Sequence, residues 1–303
     1  MTDVYRTPDE RFEGLEGFAW EPHYTELEGD LAGLRMHHIE EGEGDPILLL
    51  HGEPTWAYLY RKMVSPLAGL GRVIAPDLIG FGRSDKVTDP AWYSYERHVG
   101  SLRQLIASLS LRRLTLVVQD WGGPIGLRLA TESPENVARL VILNTGVFRP
   151  GPAWPSPGFL AWKAFVDQNP DLPVGTIVQG GTVTDLSPEV IRGYEAPWPE
   201  PRSKAGVTAF PGLVPLTESD PGAKEMMKVG DKLREWDKPT LVAFSDSDPI
   251  FPEEAGRRLA ARIPGSVPFQ AIKGAGHFLQ EDRGEAVAEV ISRFVSMRPH
   301  SVV

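Results

Sequence analysis

Leu114-Thr-Leu-Val-Val118 is an unbroken apolar run of strand length, followed directly by Gln119-Asp120-Trp121-Gly122-Gly123 and a helical pattern over residues 125–132. A strand that is apolar at every position, rather than at alternate ones, suits a parallel sheet covered on both faces. Glycines at 122 and 123 let the following helix lie close to that strand. Runs of the same kind recur at residues 47–50, 73–75 and 140–143, each bounded by turn residues, and further strands are read at 240–244 and 268–272. Upstream, Leu34, Met36 and His38 alternate with Arg35 and His37, which predicts a half-buried strand. Further helical patterns lie at residues 97–109, 252–263 and 286–296. Strands alternating with helices predict an α/β fold, a mostly parallel central sheet flanked by helices.

The rhythm stops after Thr145. Residues 148–221 are dense in Pro, Gly and Trp and hold no buried-strand run. Within them Ser187-Pro188-Glu189 reads as a helix start, with Ser as N-cap and Pro in the first turn. The expected organisation is a first core part at 1–147, a helical cap at 148–221 and a second core part at 222–303. A chain of 303 residues can bury a core of that size. The absence of cysteine excludes disulfides, thiolate metal sites and cysteine catalysis. A net charge of −10, with no long Lys/Arg run, argues against nucleic acid and anionic membranes as partners. No apolar run approaches bilayer length, and the polar start Met1-Thr-Asp-Val-Tyr-Arg6 lacks a signal-peptide core. The expected location is the cytoplasm.

In open α/β sheets, function sits on the loops at the carboxyl ends of the strands. Here those loops carry His51-Gly52-Glu53-Pro54, Asp77-Leu-Ile-Gly80, Gln119-Asp120-Trp121, Asn144-Thr145, Ser245-Asp246-Ser247-Asp248 and Gly274-Ala-Gly276-His277. Asp120, Asp248 and His277 stand in the order nucleophile, acid, histidine. That is the chain order of the α/β-hydrolase triad, with Asp in place of Ser at the strand-to-helix elbow. A lone Asp after a strand is often a helix N-cap, so the case for Asp120 rests on its company. Asp246 competes with Asp248 for the acid role. His37 and His38 are adjacent on a strand, point to opposite faces and read as strand surface rather than a metal site. Gly80-Phe-Gly82-Arg-Ser-Asp85 has the outline of a dinucleotide loop but ends in Asp and lacks the following helix. No metal or cofactor is expected.

Together, His51-Gly-Glu-Pro-Thr-Trp56, Asp77-Leu-Ile-Gly-Phe-Gly-Arg-Ser-Asp85, Gln119-Asp-Trp-Gly-Gly123 and Gly276-His-Phe-Leu-Gln-Glu281 resemble haloalkane dehalogenases over nearly the whole chain. The resemblance implies an α/β-hydrolase fold with a helical cap. It also implies the subfamily whose acid follows the late strand, since Asp248-Pro249-Ile250 matches and Asn144, at the alternative position, is no carboxylate. It implies a halide-binding tryptophan pair: Trp121 and, in Gly158-Phe-Leu-Ala-Trp162-Lys163, Trp162. Trp154 and Trp198 are the other tryptophans of the insertion. The oxyanion hole falls on the backbone N–H groups of Glu53 and Trp121, with the Glu53 side chain a candidate to position water. Phe159, Trp162, Phe165 and Leu172 are candidates for an apolar roof.

The implied reaction hydrolyses a small apolar haloalkane to a primary alcohol and a halide ion. It runs through an alkyl ester on Asp120 that water, activated by His277, then cleaves, in a protein expected to be a monomer. A carboxylate suits back-side displacement because it need not first lose a proton. An indole N–H suits the halide because it donates and cannot accept. One rival is an epoxide hydrolase, which needs cap tyrosines as acids and would find one, Tyr194. A second is a haloacid dehalogenase, which needs Arg near the nucleophile, whereas Arg128 falls further along the helix. A third is a ligand-binding protein on the same scaffold that performs no turnover.

Overall fold

The structure, a computed structural model, describes residues 3–146, 148, 155 and 157–297. Its strands are β1 (Val4–Tyr5), β2 (His23–Glu26), β3 (Arg35–Glu41), β4 (Pro46–Leu50), β5 (Arg72–Pro76), β6 (Lys86–Val87), β7 (Leu114–Val118), β8 (Val137–Leu143), β9 (Thr240–Ser245) and β10 (Gln270–Ile272). Its α-helices are α1 (Arg61–Ala68), α2 (Tyr95–Ser108), α3 (Gly122–Glu132), α4 (Pro157–Gln168), α5 (Val174–Gly181), α6 (Pro188–Glu195), α7 (Ala205–Leu213), α8 (Ala223–Leu233), α9 (Glu253–Ala260) and α10 (Leu279–Ser296).

Eight strands form one sheet in the order β10-β9-β8-β7-β4-β5-β3-β2. From β10 to β5 every pairing is parallel, and β3 and β2 extend the sheet antiparallel. The all-apolar runs have the burial that such a sheet demands: every residue of β4 and β7 is buried. Helix α1 packs on α10, while α3 packs on both α2 and α8. The chain passes from β4 outward to β5 and returns on the other side of β4 as β7. The loops after β4 and β7 therefore meet where the strand order reverses, the usual ligand crevice of such sheets.

The inserted helices α4 to α7 lie between β8 and β9. Helix α6 starts as predicted: Pro188 is in its first turn and the Ser187 hydroxyl accepts the Val190 N–H. Indole donation from Trp56 to the Gly193 carbonyl, 3.1 Å, ties α6 to the loop after β4. No helix among the described residues is long and apolar enough to cross a membrane.

Two local expectations fail. Strand β3 is not half-exposed, because Met36 to Ile39 are all buried. It lies between β5 and β2, and His37 is covered by Asp77, whose Oδ2 is 2.6 Å from His37 Nδ1. His38 stacks on His23, and burial pushes its pKa down to about 4. The two rings do point apart, but neither is strand surface. The last helix begins at Leu279 rather than near residue 286. Its first turn buries Glu281 and Asp282, and Arg283 leaves helical geometry at φ −141° and ψ 37°, so a helical period is legible only beyond that kink.

Candidate active site

Between β7 and α3 the chain turns through Asp120 at φ +47°. This left-handed conformation costs a residue with a side chain about 1–3 kcal/mol and persists only where its surroundings hold it. They do: the Asp120 N–H donates to the Asn144 carbonyl at 2.8 Å, and the Thr145 hydroxyl donates to the Asp120 carbonyl at 2.6 Å. A Cβ at Gly122 would lie 2.3 Å from the Leu50 carbonyl oxygen, so only glycine lets α3 start against β4. The elbow thus lifts the Asp120 carboxylate above the carboxyl edge of the sheet, beside the positive end of α3.

Asp120 Oδ1 accepts the backbone N–H of Glu53 at 2.8 Å, and the carboxylate also accepts the Trp121 N–H. The Glu53 N–H is aimed by the loop behind it. The Leu78 N–H donates to His51 Nε2 at 3.0 Å, which leaves His51 Nδ1 as donor to the Gly52 carbonyl at 2.9 Å. Burial lowers the His51 pKa and keeps this ring neutral.

On the other side of the carboxylate, Asp120 Oδ2 is 3.7 Å from His277 Nε2. Asp120 keeps 15% of its side-chain surface and His277 only 4%, so the carboxylate is the open member of the pair. His277 Nδ1 is 2.9 Å from Asp248 Oδ2. Asp248 Oδ2 also accepts from Asn144 Nδ2 at 2.8 Å, and Oδ1 accepts the N–H groups of Ile250 and Phe251 at 2.7 and 3.0 Å. Phe251 stacks on the His277 ring and Phe278 stands edge-on to it. Asp246, the competing acid, is turned instead toward the Gly274 N–H at 3.0 Å.

The charges follow from these contacts. Burial raises the Asp120 pKa above the ordinary carboxylate value, against the opposing pull of His277 and the two N–H donors. Burial also works against ionised Asp248, but His277 and the Phe251 and Ile250 N–H groups outweigh it, and its pKa is lowered. Burial depresses His277, yet the Asp248 charge and hydrogen bond, with Asp120 behind them, raise it overall. Burial, and then the Asp120 charge, push the Glu53 carboxyl well above its usual range, and its Oε1 is buried without a hydrogen-bond partner among the described residues.

The Trp121 ring packs edge-on against Phe210 of α7 at 4.9 Å. Trp162, on α4, is half-buried and stacks on Phe165. Among the described residues it makes no ring contact with Trp121, but α4 packs on α7, whose Phe210 does. Phe165 is 40% exposed, Leu172 is fully buried and Phe159 is half-buried. Trp198 is committed elsewhere, its Nε1 donating to the Gly80 carbonyl, and Trp154 lies outside the described residues.

Tyr194 is engaged by a different carboxylate. Its hydroxyl donates to Glu281 at 2.5 Å within a buried cluster that includes Arg61. Arg128 sits on α3 and pairs with Glu96 and Glu132. No cluster of three or more His, Asp or Glu among the described residues is arranged to hold a metal.

Sequence reasoning missed three neighbours. Asn144 is a neutral donor to Asp248. Gln119 is fully buried, with Nε2 3.2 Å from His277 Nε2. Phe210 is the aromatic that meets Trp121. Gln119 carries a local signal in its place immediately before Asp120, and Asn144 in its place after a strand, whereas Phe210 carries none.

A family profile described as the alpha/beta hydrolase fold matches residues 45–187. The haloalkane dehalogenase of Mycolicibacterium paratuberculosis is 48% identical over 294 residues, covering 95% of this chain and 97% of that protein. The haloalkane dehalogenase of Psychrobacter cryohalolentis is 43% identical over 303 residues, covering 98% and 99%. The solved tetrameric haloalkane dehalogenase DpaA from Paraglaciecola agarilytica superposes with a TM-score of 0.92 at 35% identity, covering 97% of this chain and all of that one. An aspartate at a strained elbow, a histidine and acid behind it, and likeness along nearly the full length agree: this chain belongs to the haloalkane dehalogenases, α/β hydrolases that act on carbon–halide bonds.

Proposed function

We propose that Asp120 is the nucleophile, His277 the base and Asp248 its acid partner in hydrolysis of a haloalkane to a primary alcohol and halide. One observation carries the reading: Asp120 Oδ1 is held by the Glu53 N–H while Oδ2 faces His277 Nε2. Oδ2 attacks the halogen-bearing carbon from behind, forming a C–O bond as the carbon–halogen bond breaks. The halide leaves with the bonding pair toward the Trp121 indole, with Trp162 as second donor from α4. Water then attacks the Asp120 carboxyl carbon while His277 Nε2 takes its proton. Negative charge develops on Oδ1, where the Glu53 N–H already points, with the Trp121 N–H a second donor to the same carboxyl group. Collapse releases the alcohol and restores the carboxylate, and the proton leaves from His277.

Residues 148–221 serve as the cap, with Phe159, Phe165, Leu172 and Phe210 contributing to an apolar roof over Asp120. Apolar walls favour an uncharged haloalkane. The epoxide reading loses its acid, because Tyr194 is occupied by Glu281. The haloacid reading loses its cation, because Arg128 is paired on α3. The same reading takes the chain as a cytoplasmic monomer, which size-exclusion chromatography and cell fractionation test.

The central experiment is bromide release from 1,2-dibromoethane. Asp120→Ala abolishes it. His277→Phe releases one bromide per site and then stalls with an alkyl adduct on Asp120 visible by mass spectrometry. Steady alcohol formation by either variant overturns the mechanism, and a wild-type protein that binds but never releases bromide restores the ligand-binding reading.

A further inference from the structure

Asp282 lies in the first turn of α10 and is nearly buried, yet among the described residues it pairs with no Lys or Arg. Its carboxylate is held by backbone N–H groups alone. Oδ2 accepts the Gly276 N–H at 2.8 Å, one residue before His277. Oδ1 accepts the Thr184 N–H at 2.8 Å, and the Val183 N–H is 3.1 Å from both oxygens. One side chain therefore spans the base's own loop and the turn between α5 and α6 in the insertion.

That turn is shaped to meet it. Gln179 Oε1 accepts the Leu186 N–H at 2.7 Å, and the Thr182 hydroxyl donates to the Gln179 carbonyl at 3.0 Å. The two segments are also in close contact. A Cβ at Gly276 would lie 2.4 Å from the Gly181 carbonyl oxygen, and the Phe278 N–H donates to that same oxygen at 3.4 Å. Phe278 in turn stands edge-on to the His277 ring at 4.7 Å. Both chain neighbours of His277 thus rest on one turn of the insertion.

We propose that Asp282 is a positioning residue for the base, coupling the seating of the 182–184 turn to the aim of His277 Nε2. The inference rests on His277 activating water. Ester formation at Asp120 makes no use of that aim, whereas ester hydrolysis depends on it, so the two steps separate a positioning role from a merely structural one. Both Asp282 oxygens face only donors. An Asn here must turn its NH2 group against either Gly276 or the 183–184 pair, and one side of the bridge is lost.

The test is single-turnover kinetics with 1,2-dibromoethane on the full chain, comparing wild type, His277→Phe, Asp282→Asn and Asp282→Ala, with thermal midpoints recorded. Asp282→Asn is expected to release its first bromide at the wild-type rate and to hydrolyse the ester about ten- to hundredfold more slowly, since small misplacements of a reacting group cost that much. The alkyl adduct on Asp120 then accumulates and is read by mass spectrometry. Asp282→Ala is expected to show a deeper loss of the same step, and if it does not fold, Asp282→Asn carries the test alone. Hydrolysis at the wild-type rate in Asp282→Asn, or equal slowing of both steps, overturns the inference while leaving the reaction assignment standing. A wild-type protein that releases no bromide, or a His277→Phe variant that turns over, overturns that assignment and this inference with it.

Discussion

Replacing Asp248 with Asn is the perturbation for which the structure sets the magnitude most directly. Every partner of this carboxylate is a donor: His277 Nδ1 and Asn144 Nδ2 on Oδ2, and the Ile250 and Phe251 N–H groups on Oδ1. An amide presents one acceptor and one NH2 group, so either orientation sets NH2 against two donors. Turned toward His277, it forces the ring to place its proton on Nε2, where a base is needed. Turned away, it keeps the His277 contact but forfeits both loop N–H bonds and the negative charge that stabilises the imidazolium. Two lost charge-assisted hydrogen bonds at about 1.5–3 kcal/mol each amount to roughly 3–6 kcal/mol. If most of that falls on the hydrolytic transition state, the step slows by about 10²–10⁴. Alkylation, which needs only Asp120 and the halide site, proceeds. The assay is rapid-quench measurement of bromide and alcohol in parallel: one bromide per site appears fast and alcohol lags. Alcohol formation within about threefold of wild type would refute the argument that this four-donor cradle demands a carboxylate, as would a bromide burst slowed as much as alcohol.

Three further outcomes follow from the same contacts. Trp121→Phe removes one indole donor from an anion, a loss of about 1.5–3 kcal/mol, so bromide should bind about ten- to hundredfold more weakly by fluorescence titration, and an unchanged Kd removes Trp121 from the halide site. Asp248, with Asp120 behind it, holds His277 above its ordinary value of 6.5 in the free protein, and ester hydrolysis falls in acid because the neutral ring is the base. Esterification erases the Asp120 charge, so ester hydrolysis should lose its rate at a lower pH than that at which the free protein's His277 titrates by NMR, and coincident values count against the assignment. Tyr194→Phe removes one donor from Glu281, which keeps its Arg61 pair at 2.5 and 2.8 Å. Stability should drop by about 1.5–3 kcal/mol with kcat/KM unchanged, and a collapse of kcat/KM at full folding would place Tyr194 at the substrate.

Much of the fold and the triad is legible in the chain itself because both are written in local terms. A strand covered on two faces must be largely apolar along its length, and residues 47–50, 114–118 and 140–143 are. An elbow that brings a helix against its neighbouring strand needs glycine at Gly122. Loops at strand ends carry the chemistry, so the order Asp120, Asp248, His277 can be read before any contact is known. Even Asn144 is informative there, since an amide cannot be the acid. Other features depend on which distant segments pack together, and no period or motif encodes that. Asp77 covers His37 and the His23 ring covers His38, so alternation misjudged both. Only the packed chain shows Tyr194 bound to Glu281, Trp198 bound to Gly80, Phe210 against Trp121, and Asn144 as donor to Asp248 from 104 residues away. The physical reason is that hydrogen-bond and ring partners are chosen by proximity after the sheet has closed, whereas burial and turn chemistry are imposed residue by residue along the chain.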